Sequence, residues 1–300
     1  MNDVFTFGLD LGGTKCLGVA WREGEVVAQH RAETETAGPG DVVELLVDVA
    51  TEFAKEAGEA TAVGVGAPGL VTREGALVRA PNLPGFTEVD LRSGLSAALG
   101  VPVVVENDAA AAALGEFVAG AARDASSMLA VTLGTGVGGG IVLDGRLVRG
   151  ANGFAGEIGH MTVREGGRKC VCGKRGCWEA YASGSALGRL AQERLGAESG
   201  EQVTAAAAAG DRAALDVLEE YAREVAMGLG SLIEVLDPEV VVIGGGLVEA
   251  GDLLFDPVRA AVPDHVYSWS HRPPTPILPA ELGERSGAIG AAILASALKA

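Results

Sequence analysis

Two stretches of this chain, 122 residues apart, carry one pattern: a short apolar strand, a glycine loop, a second strand and a glycine turn. The first runs VFTFGL (4–9), DLGGTK (10–15) and CLGVA (16–20); the second is MLAVTLGTGVGGGIVLDGRLVRG (128–150). At that offset Asp10 meets Thr132, Gly12 meets Gly134 and Gly18 meets Gly140, while the turn glycines Gly24 and Gly145 differ by 121. Either glycine-rich hairpins coincide by chance, or the chain has two related halves, each opening with antiparallel strands and continuing with βα units. The second reading predicts an α/β fold in two lobes. Length agrees, because 300 residues reach the size, roughly 250–300, at which one hydrophobic core stops growing.

The rest of the pattern fills in around these halves. A helix is expected over 41–57 with Asp41 as its candidate N-cap, a strand over 61–66, a Pro/Gly/Asn loop over 67–87 and a strand over 101–105. An alanine-rich helix starts near 108, and 150–180 is non-repetitive. Helices over 181–195, 203–209 and 211–236, a buried strand over 239–247, and helices near 252–262 and 286–299 complete the chain. Composition narrows the function. With 48% apolar and 21% charged residues the chain can build large cores and is not disordered. Its 23 Lys and Arg against 40 Asp and Glu leave a formal charge of −17, which argues against nucleic acid as the main partner. No apolar run approaches the ~20 residues that cross a bilayer. The start MNDVFTFGLD has acids and no Lys or Arg, unlike a secretory signal, so a soluble cytoplasmic protein without a membrane partner is expected.

Three glycine loops come after strands: Gly12-Gly13-Thr14-Lys15, Gly134-Thr135-Gly136 and Gly244-Gly245-Gly246. Such loops are either tight turns or cradles whose backbone N–H groups surround phosphate oxygens. The second also fits G-x-G-x-x-G, but that fingerprint should open a helix, and the IVLDGRLV next in the chain reads as a hairpin. Glu106-Asn107-Asp108 sits where a strand gives way to a helix, the edge at which α/β sheets bind ligands. Asn107 or Asp108 could simply cap that helix, worth roughly 1 kcal/mol, or Asp108 could act as a general base on a substrate hydroxyl.

The segment Glu157-x-x-His160-x9-Cys170-x-Cys172-x4-Cys177-x-Glu179 is more specific. Three thiolates and an imidazole (His160, Cys170, Cys172, Cys177) make a Cys3His set, a common tetrahedral zinc shell with no position left for water, hence structural. Unligated cysteines are the alternative; Cys170 and Cys172 are too close for an easy disulfide. Cys16 reads as a buried strand residue.

Together DLGGTK (10–15), GAPG (66–69), PNL (81–83), END (106–108), LGTGVGGG (133–140), GEIGH (156–160), CVCGKRGCWE (170–179) and the GGG at 244–246 resemble the sugar kinases of the ROK (repressor/open-reading-frame/kinase) family over essentially the whole chain. The resemblance implies a two-lobed actin-like ATPase (ribonuclease-H-like) fold with an internal duplication. A smaller α/β lobe over 1–107 would receive the C-terminal helix at about 287–300, and a larger lobe over 108–286 would carry the zinc-binding loop. The resemblance also implies that Asp10, Gly12, Gly13, Thr14 and Lys15, with Gly134, Thr135 and Gly136, cradle the phosphates of ATP, Asp10 positioning Mg2+ through water. Gly244, Gly245 and Gly246 would lie against the adenosine. Asn82, Asn107, Asp108, Glu157, His160 and Glu179 would hydrogen-bond sugar hydroxyls, Asp108 taking the proton of the one being phosphorylated. His160 would hold zinc on one ring nitrogen and face the sugar with the other.

The implied activity is ATP-dependent phosphorylation of a hexose, glucose to glucose 6-phosphate, by a homo-oligomer (dimer or tetramer). Fructose, N-acetylglucosamine or N-acetylmannosamine as substrate, polyphosphate as donor, and a sugar-sensing regulatory role stay open. A DNA-binding regulator needs a helix-turn-helix ahead of the sugar domain, and a first strand starting by about residue 4 leaves no room for one.

Overall fold

The computed structural model describes residues 5–34, 41–80 and 87–299. The first half runs β1 (Thr6–Leu11), β2 (Lys15–Arg22), β3 (Glu25–Glu33), α1 (Asp41–Ala57), β4 (Val63–Ala67), β5 (Leu70–Val71), β6 (Ala76–Arg79), β7 (Thr87–Asp90), α2 (Leu91–Leu99), β8 (Val103–Asn107) and α3 (Asp108–Ala119). The second half runs β9 (Met128–Leu133), β10 (Val137–Leu143), β11 (Arg146–Leu147), α4 (Glu179–Ala182), α5 (Gly184–Leu195), α6 (Gly200–Ala208), α7 (Arg212–Leu236), β12 (Val240–Gly244), α8 (Asp252–Ala261), β13 (Ile277–Pro279) and α9 (Ser286–Ser296). The described residues fall into two compact units, one from 1–124, 140–156 and 281–300, the other from 125–139 and 157–280.

The repeat is a repeat of topology. β9 begins and ends 122 residues after β1, and β10 begins 122 after β2. The sheet orders are β3-β2-β1-β4-β8 and β11-β10-β9-β12-β13, one plan used twice. β1 pairs antiparallel with β2 and parallel with β4, which is parallel to β8. Likewise β12 is parallel to both β9 and β13, and the β10–β11 pair is antiparallel.

In the first unit one face of β1 carries Phe7, Leu9 and Leu11 into a core with Leu46, Val49 and Phe53 of α1, where Phe7 stacks on Phe53 at 4.4 Å. The opposite face is built for close approach. A Cβ added at Gly8 would lie 1.9 Å from the Ala288 carbonyl oxygen, and one at Gly64 1.8 Å from that of Ala291. Glycine there lets α9 press its backbone onto β1 and β4. Apolar and small on all sides, α9 is buried between this sheet and α3, whose alanine run meets it equally closely. In the second unit α7 buries one stripe, Val217, Leu218, Tyr221, Val225, Leu229 and Leu232, at helical spacing.

Several details depart from the sequence pattern. The expected loop over 67–87 contains the β5–β6 hairpin, onto which β7 pairs. The helix expected over 181–195 is two, broken at Ser183, whose Oγ accepts the Ala186 N–H at 3.1 Å and caps α5. Strand β13 has no alternation of its own, and helix α2, whose buried Leu91 and Leu95 stand four apart behind the Asp90 cap, lies in a stretch the sequence pattern left unassigned.

Candidate active site and metal centre

In the first unit, three polar residues gather at the carboxyl ends of β1 and β8. Asn107 ends β8 with extended φ/ψ (−60°, 141°), and its Oδ1 accepts the Ala110 N–H at 2.9 Å. Its amide nitrogen donates both protons, to the Gly69 carbonyl and to Asp108 Oδ1, each at 3.0 Å. Toward a ligand Asn107 therefore has only a lone pair of Oδ1 to offer. Asp108 opens α3, and its Oδ1 also accepts the Ala109 N–H at 2.8 Å. Asn107 thus makes the cap bond, while the Asp108 carboxylate is oriented by two donors.

Asp10 stands beside it. A Cβ at Gly66 would lie 3.4 Å from Asp10 Oδ1 and 3.5 Å from Asp108 Cα. Burial raises the Asp10 carboxyl from its ordinary 3.8 to about 7; the Asp108 charge adds to the rise and Lys15 opposes it. The first glycine loop closes through the Gly12 N–H on the Lys15 carbonyl at 2.8 Å and exposes Gly13 and Thr14. The Lys15 ammonium donates to Glu284 at 2.8 Å, a carboxylate that Arg31 also grips. Such an exposed pair is easily exchanged for another anion.

In the second unit the Gly134 N–H donates to the Gly136 carbonyl at 3.0 Å, the counterpart of that closure. Three further bonds brace the loop: Gly184 N–H to Gly134 O at 2.7 Å, Ser185 Oγ to Thr135 O at 2.8 Å, and Val137 N–H to Glu179 Oε2 at 3.1 Å. The loop leads into β10 and not into a helix, as the hairpin reading requires. Gly244 pairs opposite Thr132, so the 244–246 turn starts beside the strand that feeds the 134–136 loop.

Glu157, His160 and Glu179 also come together here. At Gly159 a Cβ would lie 2.2 Å from the Val137 carbonyl oxygen, so only glycine lets the 157–160 turn lie on the start of β10. His160 Nε2 is 3.8 Å from Glu157 Oε2, and Nδ1 points the other way, 3.6 Å from Cys170 Sγ. Burial raises the Glu157 carboxyl, with His160 opposing and Glu179 adding. Asn82 lies outside the described residues.

The ligand atoms of His160, Cys170, Cys172 and Cys177 all lie within 4.8 Å of one another, and Cys172 Sγ is 3.6 Å from Cys177 Sγ. A disulfide would need about 2 Å, whereas a tetrahedral shell with Zn–S near 2.3 Å sets ligands about 3.8 Å apart. The donor types and spacing fit zinc. A tight turn, Gly173 N–H to Cys170 O at 3.0 Å, brings Cys170 and Cys172 together. The bridge between Thr162 and Cys177 brings in the second arm. Trp178 Nε1 donates to the Glu224 carbonyl at 2.8 Å, and Arg164 holds the Glu224 carboxylate with two bonds, at 2.6 and 2.8 Å. Burial pushes the Cys170 thiol up to about 12, a rise that a bound cation would oppose. Cys16 is buried in β2, as a strand residue.

Sequence reasoning missed Gly184 and Ser185, although Ser183-Gly184-Ser185 ahead of an apolar-periodic stretch is a helix-start signature. It also missed the Arg149–Glu106 ion pair and Glu284, which no local signal announces.

Residues 6–297 match the model of the ROK family. A glucokinase of Streptomyces coelicolor is 38% identical, covering 97% of this chain and 97% of its own. Among solved structures, a ROK hexokinase from Thermus thermophilus is 37% identical with a TM-score of 0.88, covering 99% of each chain. A ROK family glucokinase from Streptomyces griseus, in complex with glucose and AMPPNP, is 35% identical with a TM-score of 0.87, covering 98% of this chain and 99% of its own. The fold is accordingly the expected actin-like ATPase type.

The raised Asp10 carboxyl makes a pH-dependent prediction. Between 3.8 and about 7 the folded chain keeps a proton that the unfolded chain releases, so this group costs stability progressively as pH rises through that window. Asn cannot titrate. Melting of the ligand-free Asp10→Asn protein against its parent is expected to show a Tm gap near zero below pH 4 that widens to pH 7 and then levels. A gap independent of pH would mean that Asp10 is not held protonated.

Proposed function

The chain belongs to the ROK family, and we propose that it phosphorylates glucose with ATP, giving glucose 6-phosphate and ADP. The observation that carries this reading is the Asp108 carboxylate, oriented by Asn107 and the Ala109 N–H at the end of β8, with Asp10 beside it at the foot of the first glycine loop. Phosphoryl transfer asks for positioning and charge stabilisation more than covalent chemistry. Asp108 takes the proton of the sugar 6-hydroxyl as that oxygen bonds to the γ-phosphorus, while the bond from phosphorus to the ADP oxygen breaks. The proton then passes to solvent.

The 12–15 and 134–136 loops offer backbone N–H groups to the phosphates, and 244–246 would take the adenosine side. Asp10 would hold Mg2+ through water, and the ion would offset phosphate charge. Asn82, Asn107, Glu157, His160 and Glu179 would hydrogen-bond the sugar. On this reading His160, Cys170, Cys172 and Cys177 hold one structural zinc, which fixes the imidazole that faces the sugar. The two lobes would follow the division at 107/108 with the C-terminal helix on the smaller one. The enzyme would be a cytoplasmic homo-oligomer; among the described residues no helix is long and apolar enough to cross a membrane.

ATP turnover against glucose, fructose, mannose, N-acetylglucosamine and N-acetylmannosamine tests the substrate. Glucose is expected to lead in kcat/KM by about tenfold to a hundredfold, because an epimer leaves buried polar groups unpaired. A lead for an N-acetylated sugar would transfer the assignment to an amino-sugar kinase.

Asp108→Asn is expected to lower kcat by about 10²–10⁴ with an unchanged melt, since the amide keeps an oxygen for both donors but accepts no proton. Survival of most of the turnover would remove Asp108 as the base.

Cys172→Ser is expected to abolish a one-to-one zinc content and to weaken glucose binding, because Glu157, His160 and Glu179 share the cysteine-bearing segment. Parent protein purified without chelators and containing no zinc would refute the metal assignment.

A further inference from the structure

A continuous chain of hydrogen bonds leads to Asp108 through the buried end of β8. Arg149 Nε donates to Glu106 Oε2 at 2.5 Å, Glu106 Oε1 accepts the Asn107 N–H at 3.0 Å, and Asn107 Nδ2 donates to Asp108 Oδ1 at 3.0 Å. Glu106 is only 4% exposed, so its charge has left bulk water, and each of its oxygens has a donor. The strand itself has no use for a carboxylate there, since its other buried positions, Val103 and Val105, are apolar. A buried ion pair is rarely a net gain over well-packed apolar residues. Its presence next to the site calls for a reason other than stability.

The partner is equally well fixed. Arg149 lies just past β11, where the Val148 N–H donates to the Ile141 carbonyl at 2.8 Å and the Arg149 carbonyl accepts the Ala155 N–H at 3.2 Å. Its side chain is 29% exposed, so it brings a charge from the surface edge to the buried carboxylate. We infer that Glu106 and Arg149 are positioning residues for phosphoryl transfer. The pair clamps the peptide between 106 and 107, which sets the Asn107 amide, and the amide sets the Asp108 carboxylate. The inference rests on Asp108 being the base. Without Arg149 the buried Glu106 carboxylate is uncompensated; it turns toward water, releases the Asn107 N–H and lets the base drift. A displacement of about 1 Å at a reacting group can cost a hundredfold in rate.

The test is steady-state kinetics on Arg149→Gln and on the pair Glu106→Gln with Arg149→Gln, at a temperature where melts show both folded. Arg149→Gln is expected to lose at least about tenfold in kcat while KM for ATP stays within about twofold, because the nucleotide loops are not on this chain of bonds. The double variant should recover most of that loss, since a neutral side-chain amide at position 106 still accepts the Asn107 N–H and leaves no buried charge. A purely structural pair would lower Tm but leave the kcat of folded enzyme alone. Should Arg149→Gln not fold, Arg149→Lys serves: it keeps the charge but not the fixed fork of donors, and a kcat loss of about threefold or more with normal melting is expected. Full kcat in the folded variant beside an inactive Asp108→Asn would overturn the clamp alone, as would a loss that the double variant does not relieve. An active Asp108→Asn would overturn the base reading and the clamp with it.

Discussion

How closely α9 lies on the first sheet governs the chemistry at that sheet's carboxyl edge. Gly8 and Gly64 remove the side chains that would hold the helix away, so its backbone rests on β1 and β4. The same helix begins over Asp10, where a Cβ at Gly287 would stand 2.5 Å from Asp10 Oδ2. Close packing and carboxylate desolvation therefore share one cause. The approach is anchored by Glu116, a buried acid at the end of α3 that accepts the N–H groups of Glu281 and Leu282 at 3.0 and 2.8 Å, just ahead of α9. A bulkier residue on this face would shift the helix and readmit water to the acid.

The duplication repeats the scaffold and not the chemistry. Asp10 and Thr132 occupy matching positions, opposite Gly66 and Gly244, yet one is an acid and the other a hydroxyl. The strand end that carries Asn107 and Asp108 in the first sheet ends at Pro279 in the second. Acids close together raise one another's pKa and repel a polyanion. Keeping the Asp10–Asp108 pair in one half leaves the other half's loops with backbone N–H groups and a neutral threonine.

Glu179 ties the second unit's parts to each other. Its Oε2 accepts the Val137 N–H beside the 134–136 loop, while Oε1 lies 3.3 Å from Cys170 Sγ. One side chain thus touches both the cysteine cluster and the glycine loop. Order in the cysteine segment reaches the loop through the Glu179 side chain, and the Arg164–Glu224 and Trp178–Glu224 contacts hold the base of that segment.

Much of this was legible in the sequence because it is local. The 122-residue offset matched both ends of β1 and β9, the alanine run began its helix at Asp108, and three cysteines within eight residues could reach one histidine's turn. Periodicity and spacing act over a few residues, and those features are set there. What the sequence left open was decided across long separations. That Asn107 and not Asp108 caps α3 goes with the Gly69 carbonyl, 38 residues away, which holds the Asn107 amide nitrogen while its Oδ1 takes the Ala110 N–H. The carboxylate of Glu106 finds Arg149 at a separation of 43, and Lys15 finds Glu284 at 269. Strand β13, three residues without alternation, exists because β12 offers it an edge. Local pattern determined which segments could form and which residues were candidates for chemistry; only the folded backbone decided which donors meet which acceptors, because partner choice among polar groups depends on distance and burial that no short window contains.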